Sequence, residues 1–476
     1  MSVPEVRVMR RSLTCAFVFS LSLAFFQALL LHAQTATKAP ASNPQTSPPS
    51  APEGNVMIEE LKKSPNAGTR AKAARELGKA QDVSAVPALV EALSDPSEKV
   101  RREVVLALAQ FHQSETMDAL IKATGDTNEE ICVLAVQSLV GYYTGTVPGL
   151  GFTGFVKKNW QRAKGHFNPD TTRINPGVSV EPKVITTLDA TLKSTRSNRA
   201  SCEAAKGLGI LVARATVPDL VKAAHSSDET LSLEALNALS KIEDRSAGPQ
   251  LVDLLDSPNN EIKQQASITI GILRALQAAS KLQSIFESDG DKKSKEKVLE
   301  GLAYLGAPTS VPLFTKTLES NDKVMRTSAA EGLARAGDPK VLSDLEKALA
   351  TERDGEAKLA IEFAITALGK LDHLSDLVDE LPSRTHGDVV QPYLIELART
   401  PSFLPRLYPY LQSPSAGVRM KLCAVLMFSG DQTSLDQLDR LSHDPNGDVA
   451  AEALQAKRGI RARLEAAGKT STTSSP

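Results

Sequence analysis

A leucine-type residue returns at near-constant spacing along most of this chain, and each return closes a helical pattern. The marker falls at Leu77, Leu108, Leu139, Leu208, Leu239, Ile270, Leu302, Leu333, Leu368, Leu397 and Leu426. The steps are 31, 31, 69, 31, 31, 32, 31, 35, 29 and 29 residues. A period of that length holds two short helices and their turns. Each pair has an apolar face that it cannot bury alone, so neighbouring pairs must stack into one continuous core. The spacing predicts an all-α chain, an α-solenoid of about eleven to twelve helix pairs with one loop inserted between repeats.

The pattern inside a unit supports this. In VPALVEALSDPSEKVRREVVLALAQF, Val86, Leu89, Val90 and Leu93 share one helical face, and Asp95-Pro96 ends that helix. Val100, Val104 and Leu108 then line a second helix. From Val311 the chain repeats the theme, with Val311, Phe314 and Leu318 followed by Met325, Ala329 and Leu333. Arg101, Arg326 and Arg419 each follow an apolar Val or Met of a second helix. The pair Gln432 to about residue 466 would cap the array. A composition rich in Ala and Leu, with only 4% aromatics, suits closely packed helical seams.

The V-P-x-L-x-x-x-L helix, the Asp-Pro turn and the V-R-x-x-A helix resemble HEAT-like repeats of the short kind found in bacterial proteins and phycobilin lyases. The resemblance covers about residues 56–466. It implies the solenoid fold and leaves function open, because such repeats serve many tasks.

The step of 69 marks an insertion at residues 144–182, between repeat blocks 55–143 and 183–466. It carries Trp160, the one tryptophan of the chain, beside Phe152 and Phe155. Its bases Lys157, Lys158, Arg162 and Lys164 stand in a stretch, 141–167, without an acid. Insertions in repeat arrays gather on one face, often the binding face. Three readings are open: the aromatics cover the seam between flanking repeats, they anchor a protein partner, or they dip into a membrane surface with the bases on anionic headgroups. The candidate binding residues are Phe152, Phe155, Lys157, Lys158, Trp160, Arg162 and Lys164.

Arg7, Arg10 and Arg11 precede an apolar run at residues 12–31, and small residues follow. Residues 1–33 are expected to be a signal peptide or signal anchor, which places the remainder in the periplasm or cell envelope. Residues 34–54, rich in Pro, Ser and Ala, are expected as a disordered linker, and 467–476 as a disordered tail.

No chemistry is expected. None of the seven histidines is followed by Glu, whereas a solenoid relative of this repeat type, deoxyhypusine hydroxylase, uses repeated His-Glu dyads as iron ligands. No two histidines have helical spacing, no CxxC occurs, and neither a GxSxG elbow nor a phosphate-binding glycine loop is present. Cys132, Cys202 and Cys423 read as small buried residues. A formal net charge of −1 gives no support to nucleic-acid binding. The expectation is an exported, non-catalytic scaffold without metal or cofactor. It would bind an unidentified protein along a concave groove lined by the second helices, helped by the insertion. Membrane-surface docking, or a small-ligand or enzymatic site in the groove, are the alternatives.

Overall fold

The structure, a computed structural model, describes residues 51–147, 173–176 and 178–472. Twelve helix pairs follow one another there, from Ala51–Lys63 with Ala67–Ala80 (pair 1) to Gln432–Leu441 with Gly447–Thr472 (pair 12). They belong to one compact unit, Gly54–Pro476. No strand occurs among the described residues, and no helix there is long and apolar enough to cross a membrane.

Local chemistry explains the repeated unit. Second helices start on short polar caps. Asn66, Asn128, Asp228, Asn259, Asp291, Asp322 and Asp354 each accept a bond from a backbone N–H of the first turn. Several first helices open with a 3-10 turn and then proline, as at Pro87, Pro218 and Pro312, where a missing N–H costs nothing. The markers are sealed: Leu77, Leu108, Leu139, Leu208, Ile270, Leu302 and Leu333 are all 0% exposed.

Neighbouring second helices approach backbone to backbone. A Cβ on Gly209 would stand 2.7 Å from the Ala238 Cα, and one on Gly78 would stand 2.7 Å from the Ala107 Cα. A Cβ on Gly271 would collide with the Gly301 carbonyl, and one on Gly301 with the Ser267 carbonyl. Small residues thus draw the inner layer of helices together, and the array bends toward it.

A guanidinium clip joins some neighbours. Four residues past its cap, Arg70 grips both oxygens of Asp95 in the next pair at 2.7 and 2.8 Å, and also donates to the Ser64 carbonyl. Arg101 does the same to Asp126, Arg326 to Glu352 and Arg419 to Asp444. In the intervening pairs 3 to 5 the position holds Cys132, Ser201 and Ser232. These short side chains turn back to carbonyls of their own pair: Thr124, Thr191 and Ala224.

Three sequence expectations shift. The marker of pair 9 is Ile365, not Leu368: Ile365 is 0% exposed, and its carbonyl accepts from Lys370 as Leu208 does from Ala213 and Ile270 from Ala275. The 35-residue step therefore becomes 32. Helix Ala51–Lys63 begins inside the segment expected as linker, because Pro52 suits a first helical turn. The last helix runs to Thr472, into the expected tail, continuing the alanine-rich RARLEAAGK.

Candidate functional site

The segment expected as an insertion follows one described helix and precedes another. Helix Glu129–Thr144 ends on Gly145, and the next helix is Pro182–Leu192. Phe152, Phe155, Lys157, Lys158, Trp160, Arg162 and Lys164 lie outside the described residues. Both roots of the insertion are described. On the outgoing side the Tyr142 ring tilts against His112 at 5.4 Å and Tyr143 packs on Met117. On the return, Ile174 N–H donates to the Ile210 carbonyl at 3.0 Å, and Arg173 meets Glu243 at 2.6 Å.

Pairs 3 and 4 nevertheless stack directly on each other. Glu181 N–H donates to the Tyr143 hydroxyl, Lys183 pairs with Asp118 at 2.7 Å, and Ser197 bonds Glu129. Val140 fills the space beside Gly207. The array runs through the insertion point without a gap.

The root at Arg173 leads into a second feature that the sequence did not reveal. Glu243 caps helix Glu229–Ile242 of pair 5, and it lies 3.8 Å from Arg399, which caps Gly387–Ala398 of pair 10. Arg274, just after Asn260–Ile272 of pair 6, reaches Glu396 of pair 10 at 3.4 Å. Arg335 in Lys323–Ala336 of pair 8 bonds Glu396 at 3.0 Å and Glu331 at 3.2 Å. Tyr393 donates to Glu331 at 2.5 Å and stacks on Phe363 at 4.3 Å. The Tyr304 ring lies under the Arg335 guanidinium at 4.7 Å. Second helices four and five pairs apart therefore touch.

These contacts correct the expected groove. One inward column of the second helices runs from exposed Arg75 through half-buried Leu106, Gln137 and Asn237. It then reaches Ile268 and Phe363, each 1% exposed. Glu300 and Glu331 hold the position in pairs 7 and 8 and are half-buried, so the column is exposed at pair 1 and fully covered at pairs 6 and 9, where charged side chains meet across the array.

Electrostatics inside the closure are lopsided. Burial works against the Glu396 carboxylate, yet the Arg335, Arg274 and Arg399 guanidiniums outweigh it and hold its pKa below the ordinary range. Burial, with the like charges of Arg335, Arg245 and Arg399, draws Arg274 below the usual guanidinium value despite Glu396. Burial raises the Tyr393 hydroxyl well above its usual value, and Glu331 adds to it.

Glu243 and Arg274 share a backbone conformation with Gln81 and Val212. Second helices end near a left-handed residue, which is Gly145, Gly306, Gly337 or Gly369 in four pairs. Glu243 and Arg274 take that conformation at φ 56° without being glycine, a cost of about 1–2 kcal/mol each. A sequence signal existed: a charged residue where sister repeats carry glycine.

Burial disfavours the thiolate at the three described cysteines. Burial pushes Cys202 up to about 11 and Cys423 up to about 12, and it raises Cys132 as well. One cluster among the described residues has the donor set for a metal ion: Glu362, His373 and Asp376, with ligand atoms within 4.8 Å of one another.

Comparison with known proteins follows from this architecture. The HEAT-repeat family profile matches residues 54–140, 186–271 and 279–366, more than half of the chain. The chain belongs to the HEAT-repeat family. An epoxyqueuosine reductase of Bacillus subtilis (strain 168) is 31% identical over 123 residues, 26% of this HEAT-repeat chain, which spans only 28% of that enzyme's length. Among solved structures, an engineered protein matches at TM-score 0.37 and 19% identity, over 86% of this chain and 99% of its own. The complex of CpcE and CpcF of phycocyanin lyase from Nostoc sp. PCC7120 matches at TM-score 0.32 and 17% identity, over 53% and 94%. Importin beta matches at TM-score 0.42 and 11% identity, over 88% and 70%.

Proposed function

We propose that this HEAT-repeat protein is a non-catalytic scaffold of the cell envelope that binds a protein partner through the insertion and the inner face of its first pairs. The observation that carries the reading is the direct stacking of pairs 3 and 4. A segment that the array does not need for continuity, rich in Trp, Phe, Arg and Lys, is free to serve recognition. Elsewhere in the array, Lys72, Arg75 and Lys79 are exposed on Ala67–Ala80 of pair 1. Export rests on Arg7, Arg10, Arg11 and the apolar run 12–31.

Two measurements test this. Cell fractionation should recover the chain outside the cytoplasm; cytoplasmic recovery would sink the envelope assignment. Trp160 emission on the full chain should start red-shifted and move blue with a lipid-free envelope extract. A shift only with anionic vesicles would favour the membrane surface, and emission already blue and unmoved would make the insertion a packing element. Replacing residues 148–172 by a Gly-Ser link should abolish the shift-inducing partner's retention and leave cooperative unfolding intact.

A further inference from the structure

The junction between pair 9 and pair 10 departs from its sister junctions in a concerted way. Eight residues after the cap of a second helix, pairs 1 to 11 place a buried residue, which is uncharged in every pair but the ninth and polar among those only as Ser267 of pair 6. Ala74, Val105, Leu236, Leu299, Ala330 and Leu394 hold this position, all 0% exposed. Leu454 holds it in pair 12, which has no following pair, and is accordingly 44% exposed. In pair 9, Gly355–Ala367, the cap is Asp354 and the position is Glu362, 2% exposed. A carboxylate stands where every one of those relatives has hydrocarbon.

The facing side changes too. The last residue of the 3-10 turn opening a first helix is small or apolar and buried in other pairs: Ala85, Thr216, Ala278, Ser310 and Val341. In pair 10, Leu371–His373 with Leu374–Asp379, it is His373. One turn on, Asp376 meets the His373 Nδ1 at 3.2 Å. Donor atoms of Glu362, His373 and Asp376 all lie within 4.8 Å of one another. Burial lifts the Glu362 pKa, with Lys358 only partly opposing it. The Lys358 ammonium is 3.5 Å away on a side chain that is 56% exposed, so it can swing into water. Lys358 also stands where the arginine clip sits elsewhere, so this junction lacks the guanidinium that joins pair 8 to pair 9.

We propose that Glu362, His373 and Asp376 form a site for one divalent transition-metal ion that staples pair 9 to pair 10. One imidazole and two carboxylates suit Zn2+, Co2+ or Mn2+, whereas Mg2+ and Ca2+ favour all-oxygen sets. Ligand atoms around such an ion, each about 2.0–2.2 Å from it, lie closer together than the spread here, and side-chain rotation closes the difference.

The test uses the chelator-treated full chain, titrated with Co2+ and followed by its visible d–d absorption, with a parallel thermal melt in Zn2+. Wild type should bind Co2+ and melt higher in Zn2+, and equal Mg2+ or Ca2+ should do neither. Glu362→Leu and His373→Ala restore residue types that sister pairs carry at these positions, so both should fold. Each should lower Co2+ affinity by about 100-fold and lose the Zn2+ shift. A wild-type chain with no Co2+ spectrum, or variants whose spectrum and melting shift match wild type, would overturn the site and leave a hydrogen-bonded junction only.

Discussion

Pairs 1 to 3 are joined neighbour to neighbour by Arg70–Asp95 and Arg101–Asp126. Pairs 5 to 10 are also joined across the curve, through Arg274, Arg335 and Arg399 converging on Glu396 and Glu243. The building block is the same. What differs is the range of the ion pairs. A local clip fixes the angle between two units; a closure across several units fixes the accumulated bend. A solenoid can thus combine purely local joints in one stretch with bonding across the curve in another.

The largest expected effect comes from breaking the closure. Glu396→Ala strands Arg335, whose side chain is 6% exposed, beside Glu331 alone. The loss should be about 3 kcal/mol by denaturant unfolding, and the radius of gyration should rise. An unchanged radius would mean that the small-residue seams set the curvature by themselves. Acid should mimic the variant in part. The folded Glu396 pKa is depressed, so its contribution is fully present above the unfolded value of about 4.3 and is lost as pH falls through the folded value. Glu362 has the opposite sign. Its folded pKa is raised, so in metal-free protein its ionisation erodes stability as pH climbs from about 4.3 through the folded value. Glu362→Gln should flatten that slope and leave the acid limb, and a slope unchanged in the variant would refute the assignment.

A smaller effect is expected at a clip. Arg101→Ala removes the grip on Asp126, whose side chain is 10% exposed, and should cost about 2 kcal/mol with no change in radius. Expansion in this variant would erase the distinction between local and long-range bonding.

The sequence carried the local half of this picture well. Period, caps and the arginine after an apolar Val or Met are short-range features. Leu368 misled because two leucine-type residues, Ile365 and Leu368, lie one turn apart, and burial and the backbone bond at the helix end distinguish them. The closure was illegible because Arg274 and Glu396 are 122 residues apart, and their meeting depends on curvature summed over four pairs. Glu362 was legible in principle, as a carboxylate in an apolar column, once the pairs are aligned on their caps. The proposed partner residues of the insertion, Phe152 to Lys164, lie outside the described residues.

The finest comparison uses the left-handed helix ends. Val212 and Glu243 share φ near +55° (53° and 56°), and only Glu243 carries a pair across the curve. Val212→Gly relieves a β-branched residue of that conformation, against the greater freedom of glycine in the unfolded chain, and should stabilise by about 0.5 kcal/mol. Glu243→Gly gains the same relief and loses contacts to Arg173 and Arg399, partly exposed pairs worth about 0–1 kcal/mol together. It should therefore be near neutral. The difference between the two variants, read by denaturant unfolding at low and high salt, measures the closure at its outer edge: it should shrink with salt. Equal stabilisation by both at every salt concentration would show that Glu243 accepts its strained backbone for no gain in folding, and would shift the reason for its charge from stability to binding.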